Sequence, residues 1–218
     1  MLPVLGYHLW IDRVGCYRVL CSPVLTIGGP QEKDQDPASH LAIMGDLSRK
    51  HATLQRTSTG YVLTPHHTVS VNQVVIKQPT CLQHQDKILL GKYVELQWHQ
   101  PSALSLTGRL EFLSSHRPKL RIDGLVLMEN LCLLGPGAGQ HIPCRHWLKS
   151  IIIFGEGTAT QSQPQQPGSN PTGSISVQSG SSKKWMLQYA QSPLQRHELL
   201  PGKFYEEDDI RLQLEALT

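Results

Sequence analysis

No apolar run in this chain approaches the roughly 20 residues needed to cross a bilayer. The opening Met1-Leu2-Pro3-Val4-Leu5-Gly6-Tyr7 also lacks the basic region and long apolar core of a secretory signal. The sequence therefore predicts a cytoplasmic protein without membrane contact. Charge of one sign is missing as well: 20 lysines and arginines against 17 acids leave a net +3 with no long run of either kind. That balance gives nucleic acid no reason to bind. Cysteine is scarce and odd in number. Cys16, Cys21, Cys81, Cys132 and Cys144 show no framework spacing, which predicts reduced thiols and no disulfides.

Catalytic and metal-binding patterns are absent too. Ser48 and His51 lie close in sequence, but no nucleophile elbow, phosphate-cradling loop or pair of acids surrounds them. Gly135-Pro136-Gly137-Ala138-Gly139 lacks the lysine and Ser/Thr of a P-loop. His141, Cys144 and His146, with Cys132 upstream, match neither the paired short spacings of structural zinc nor a three-ligand catalytic set. The expectation is a protein that is not an enzyme and uses no cofactor and no metal.

Short alternating strands are what the chain does contain. Leu9 to Asp12 and Cys16 to Leu20 flank Arg13-Val14-Gly15 and read as a hairpin. Further strand-length runs lie at 41–44, 51–56, 61–64, 74–76, 87–90 and 94–98, where Val94, Leu96 and Trp98 share one face. Nothing in this half looks like a long amphipathic helix. Closely spaced short strands with turn signals predict an all-β sandwich.

The second half repeats the programme. Leu120 to Met128 echoes Leu9 to Gly15, and Leu131-Cys132-Leu133-Leu134-Gly135-Pro136 echoes Val24-Leu25-Thr26-Ile27-Gly28-Gly29-Pro30. The predicted organisation is a sandwich over 1–100, a connection over 101–117 and a second sandwich over 118–218. Residues 155–182, almost without large apolar side chains, are expected to form a flexible loop in the second unit.

The richest segment is Asp46-Leu47-Ser48-Arg49-Lys50-His51, with a hydroxyl, two cations and an imidazole in four consecutive residues. Upstream lies Val24 to Gly29. Downstream come Val71-Asn72 and Leu82-Gln83-His84-Gln85-Asp86-Lys87-Ile88-Leu89-Leu90-Gly91. In this order and spacing the segments resemble the forkhead-associated (FHA) domain, whose pattern runs Gly-Arg, Ser-x-x-His, Asn-Gly-Thr, Val-Asn-Gly and Leu-x-x-Gly-Asp-x-Ile-x-Leu-Gly. Ser48 and His51 fill Ser-x-x-His. The arginine of Gly-Arg is Gly29 here, the Asn-Gly pair is His67-Thr68, and Gln85 replaces the glycine of the last motif.

The resemblance implies two tandem β-sandwich units of FHA/SMAD-like type, the second a degenerate one without Ser-x-x-His. It also implies a non-enzymatic interaction module that binds phosphothreonine-containing proteins, the substrates of Ser/Thr kinases. Ser48 and Arg49 would hold the phosphate, His51 and Gly28 would support their loop, and His67, Thr68 and Asn72 would line the ligand side. Without the missing arginine and Asn-Gly pair, the alternative is a phosphate-independent scaffold. Arg117-Pro118-Lys119-Leu120-Arg121 is a small basic patch that either meets an acidic partner or only solvates a strand end.

Overall fold

Alternation of inward and outward side chains organises every layer of the molecule. The computed structural model describes residues 6–30, 39–102, 105–119, 121–156 and 184–217, and among these every regular element is a strand. The first group is β1 (Gly6–Ile11), β2 (Gly15–Leu20), β3 (Val24–Gly28), β4 (His40–Ala42), β5 (Ala52–Arg56) and β6 (Tyr61–Pro65). Then come β7 (Val69–Val71), β8 (Val74–Ile76), β9 (Thr80–Cys81), β10 (Lys87–Leu90), β11 (Val94–His99), β12 (Gly108–Phe112) and β13 (Gly124–Leu127). The rest are β14 (Leu131–Gly135), β15 (Ile142–Pro143), β16 (Ile151–Glu156), β17 (Lys184–Tyr189), β18 (Ser192–Leu199), β19 (Phe204–Glu207) and β20 (Ile210–Ala216).

Two five-stranded sheets, ordered β4-β3-β5-β6-β9 and β15-β14-β16-β17-β18, share one pattern of pairing. In each, the first pair is parallel and the remaining three antiparallel. Val24–Gly28 and Leu131–Gly135 are the second strands of their sheets in this order.

A single ten-stranded sheet, ordered β19-β20-β1-β2-β13-β12-β11-β10-β7-β8, serves both. Its parallel pair is β2 and β13, the fourth and fifth strands in that order. On one side the antiparallel run is β13-β12-β11-β10, and on the other it is β2-β1-β20-β19. Leu125 and Leu127 enter the core beneath the first small sheet, while Val126 and Met128 enter the core beneath the second. Gly124–Leu127 is buried throughout because it is covered on both faces.

The strands do not follow a cut at residue 100. The hairpin β1–β2 feeds β3 of the first small sheet, yet β1 pairs with β20 near the end of the chain. The hairpin β12–β13 feeds β14, yet β12 pairs with β11. Each hairpin leads into one small sheet and completes the layer facing the other. The expected connection at 101–117 contains β12, whose Leu110 and Phe112 are core residues. Of the expected loop 155–182, Gly155 and Glu156 belong to β16, and the remainder lies outside the described residues.

The first core is centred on Trp98, fully buried with its ring centroid 4.6 Å from that of Tyr61. The Trp98 ring lies where a Cβ on Gly108 would stand, 2.2 Å away, so no larger residue fits at the start of β12. All five cysteines carry free thiols. Cys132 and Cys144 lie in the second core, where burial pushes both thiols up to about 12.

Candidate functional site

Residues 46–51 form a tight loop at one end of the first sandwich, held by three kinds of contact. Gly29 donates its N–H to the Ser48 carbonyl at 3.0 Å, and His51 donates its N–H to the Ile27 carbonyl at 2.9 Å. Gly28 lets the loop approach: a Cβ there would stand 2.1 Å from the Arg49 carbonyl oxygen and 2.5 Å from that of Ser48. The third contact is the buried His51 ring. Its Nδ1 accepts the Ser48 N–H at 3.4 Å, which assigns the proton to Nε2, and Nε2 donates to the Thr68 carbonyl at 3.0 Å. One imidazole thus ties the Ser48 loop to the β6–β7 connection. Gly91 N–H donates to the same Thr68 carbonyl at 2.9 Å and brings the β10–β11 turn alongside.

This tethering leaves the candidate phosphate contacts available. Arg49 is exposed and forms no hydrogen bond or ion pair among the described residues. Ser48 is half-buried, with its backbone engaged and no protein partner to its hydroxyl among them. Lys50 follows, exposed. His67 and Thr68 are exposed on the facing connection, the His67 ring centroid 5.4 Å from that of His51.

Three further groups at this end carried no motif signal. His66 pairs its Nε2 with the Thr53 hydroxyl at 2.8 Å, and its pKa is lowered by partial burial and by the neighbouring Lys50 and His67 charges. Lys92 and Tyr93, both exposed, follow Gly91 directly. Their only sequence signal is position, in the turn after Leu89-Leu90-Gly91.

Asn72 lies elsewhere. Thr68 precedes β7 and Asn72 follows it, so about 10 Å of strand separates them at roughly 3.3 Å per residue. Its side chain donates to the Asp86 carboxylate at 2.8 Å and accepts the Lys87 N–H at 3.0 Å. Asp86 in turn accepts the Gln83 N–H at 2.7 Å. With positive φ at Asn72 and Gln73, 49° and 70°, this is the two-residue turn of the β7–β8 hairpin. Asn72 therefore fastens the β7–β8 turn through Asp86 and Lys87, one strand length from Thr68.

A second polar cleft, about 450 Å³, opens between the ten-stranded sheet and the β14–β15 connection and is lined by Tyr17, His99, Arg109, Glu111 and Gln140 among others. Its buried Arg109 is neutralised by Glu111 at 3.1 Å, and His99 lies 2.9 Å from the same carboxylate. This cleft already contains its own counter-charge. His141 and Cys144 are buried, with His141 Nδ1 accepting the Leu133 N–H at 2.9 Å. Among the described residues no group of three or more His, Cys, Asp or Glu could hold a metal ion.

The anchored loop, its free arginine and its glycine support bear directly on the comparison with known families. Residues 33–91 match the FHA domain. The match spans the Ser48 loop, the His67-Thr68 connection and the closing Leu-Gly turn, and ends at Gly91, which touches all three. FHA domains are phosphopeptide-binding interaction modules without catalytic activity. The match does not extend to the second unit, and no curated protein and no solved structure matches the chain.

Proposed function

We propose that the first sandwich binds phosphothreonine peptides, and that the partners are proteins phosphorylated by Ser/Thr kinases. The observation that carries this reading is Arg49: an exposed residue next to Ser48, on a loop fixed by Gly28 and His51, with no ion pair among the described residues. Charge-assisted hydrogen bonds from a planar guanidinium are what a phosphate requires. The donor count is small because Gly29 replaces an arginine. Lys50 supplies further positive charge nearby. A reducing, cytoplasmic setting suits the free thiols.

A phosphate-independent scaffold is the second reading, favoured by His67-Thr68 at the Asn-Gly position. The test titrates a phosphothreonine peptide library and its unphosphorylated twin against wild type and Arg49→Ala. Binding that requires the phosphate and weakens about tenfold or more without Arg49 is the expected result, since a hydrogen bond to a charged group contributes about 1.5–3 kcal/mol. Equal binding in all combinations, or none, makes the protein a scaffold.

A further inference from the structure

The β12–β13 loop lies beside the phosphate site although it is far outside the FHA match. Leu113 donates its N–H to the Glu95 carbonyl, and the Ser114 hydroxyl accepts the Glu95 N–H, so the loop runs along β11 just past the Gly91 turn. Met44 donates its N–H to the Arg117 carbonyl at 2.9 Å, and Ile43 bridges Pro118, fastening the loop to the segment that continues into Asp46 and Ser48. A Cβ on Gly45 would stand 3.2 Å from the His116 ring.

Between Met44 and this loop is a groove of about 570 Å³, lined by His116, Arg117, Lys119, Arg121 and Asp123 among others. Its charge is not internally balanced. Arg117 lies 5.2 Å over the Phe112 ring and donates to the Ser114 and His116 carbonyls, so it is oriented by neutral groups alone. Lys119 and Arg121 are exposed and form no ion pair among the described residues. The one carboxylate, Asp123, is turned to the Cys16 N–H at 2.8 Å. The acidic run at 206–209 does not compensate for the patch, because it pairs within the second sandwich: Asp208 with Lys149, Glu206 with Arg211 and Glu207 with His197. Only the three residues 45–47 separate Met44 in the groove wall from Ser48, a reach of about 14 Å at most.

We propose that this groove reads a carboxylate-rich flank on the same peptide whose phosphothreonine is held at Ser48 and Arg49. The ligand class is an acidic phosphothreonine segment. The inference rests on the phosphothreonine reading of that site and adds to it a specificity element supplied by the β12–β13 hairpin. Exposed cations attract exposed carboxylates weakly one at a time, so several together act as a graded preference and not as an anchor.

The experiment uses the full chain and three peptides of one core sequence: phosphothreonine with aspartates on both flanks, phosphothreonine with glutamines on both flanks, and the aspartate peptide unphosphorylated. Binding by wild type, Lys119→Gln/Arg121→Gln, Lys119→Glu/Arg121→Glu and Arg49→Ala is read at low and at physiological salt. The expected result is a preference of about three- to tenfold for the aspartate phosphopeptide, consistent with two or three exposed pairs. It should shrink in salt, disappear in the glutamine variant and reverse in the glutamate variant, with both variants binding the glutamine phosphopeptide as wild type does.

Equal affinity for the two phosphopeptides overturns the groove and leaves the phosphothreonine reading intact. Absence of any phosphate-dependent binding overturns both. Duplex DNA binding as tightly as the acidic phosphopeptide, and lost in the same variants, overturns the proposal in favour of a general anion patch.

Discussion

The two sandwiches use the same small-sheet pairing and handle charge in opposite ways. In the second, four cations are answered by acids, Lys149 by Asp208, Lys184 by Glu198, Arg196 by Glu156 and Arg211 by Glu206, while Arg145 and Lys203 stand without an ion pair among the described residues. At the loop end of the first, Arg49, Lys50, Lys92, Lys119 and Arg121 are exposed, with no ion pair among the described residues. Scaffold and site are therefore separable here. The same small-sheet pairing occurs in both halves, while a cluster of unpaired cations beside a braced loop occurs at Ser48 and Arg49.

The severest way to break the comparison is through the shared sheet. Trp98→Ala removes the largest fully buried side chain of the first core and is expected to destabilise the protein by about 3–5 kcal/mol. Because β13 carries side chains into both cores, chemical denaturation should still show one transition, followed by tryptophan fluorescence and circular dichroism together. Two separated transitions would mean that the halves unfold independently despite the common layer.

Acid offers the next largest effect, centred on the second core. Burial, reinforced by the Arg109 charge, pushes the His141 imidazole down to about 4 from its ordinary 6.5. Between those values the unfolded chain binds a proton that the folded chain refuses. Stability is thus full above 6.5 and falls as pH drops towards 4, by about 3 kcal/mol for this group. His8, His40 and His99 are also lowered, chiefly by burial, and act in the same direction. Urea titrations at pH 7 and 4.5 should show the loss, and His141→Asn should flatten it. An unchanged slope in the variant would take the acid sensitivity away from His141 and assign it to other groups, the lowered histidines His8, His40, His66 and His99 among them.

Gly28→Ala tests the first site directly. The added methyl would meet the Arg49 and Ser48 carbonyl oxygens, which are backbone and cannot swing away. The loop must move, at a stability cost of about 1–3 kcal/mol. Phosphopeptide affinity should fall more than tenfold with the core intact by circular dichroism. Unchanged affinity would show that the loop's position is not what binds.

Much of this was legible in the sequence, for physical reasons that also mark the boundary. Alternation fixed strands such as Val94 to Trp98, because an inward face must be apolar whatever it packs against. The glycine at 28 and the Ser-x-x-His run marked the braced loop, because close backbone approach and loop bracing need those residue types locally. Alternation does not say which sheet a face meets, so the pairing of β1 with β20 and the parallel pairing of β2 with β13 had no signal. β12 was overlooked because Arg109 and Glu111 point away from the first core, and a five-residue strand with polar neighbours resembles a connection. The motif position of Asn72 does not announce its bonds to Asp86 and Lys87, because those partners come from another part of the chain.

The smallest expected effect sharpens the comparison most. Glu156→Gln and Glu198→Gln together would free Arg196 and Lys184 in the second sandwich, reproducing unpaired cations without the Ser48 type of loop. Both pairs are about half exposed, so the stability change should stay near 0.2–1 kcal/mol for each. Phosphopeptide titration should show no second binding event, because Arg196 rests on the Phe154 ring and donates to Gln188, with no fixed hydroxyl or converging turn beside it. A second event would mean that unpaired charge alone suffices to bind phosphate, and the anchored loop at Gly28 and His51 would lose its claim to be the determining feature.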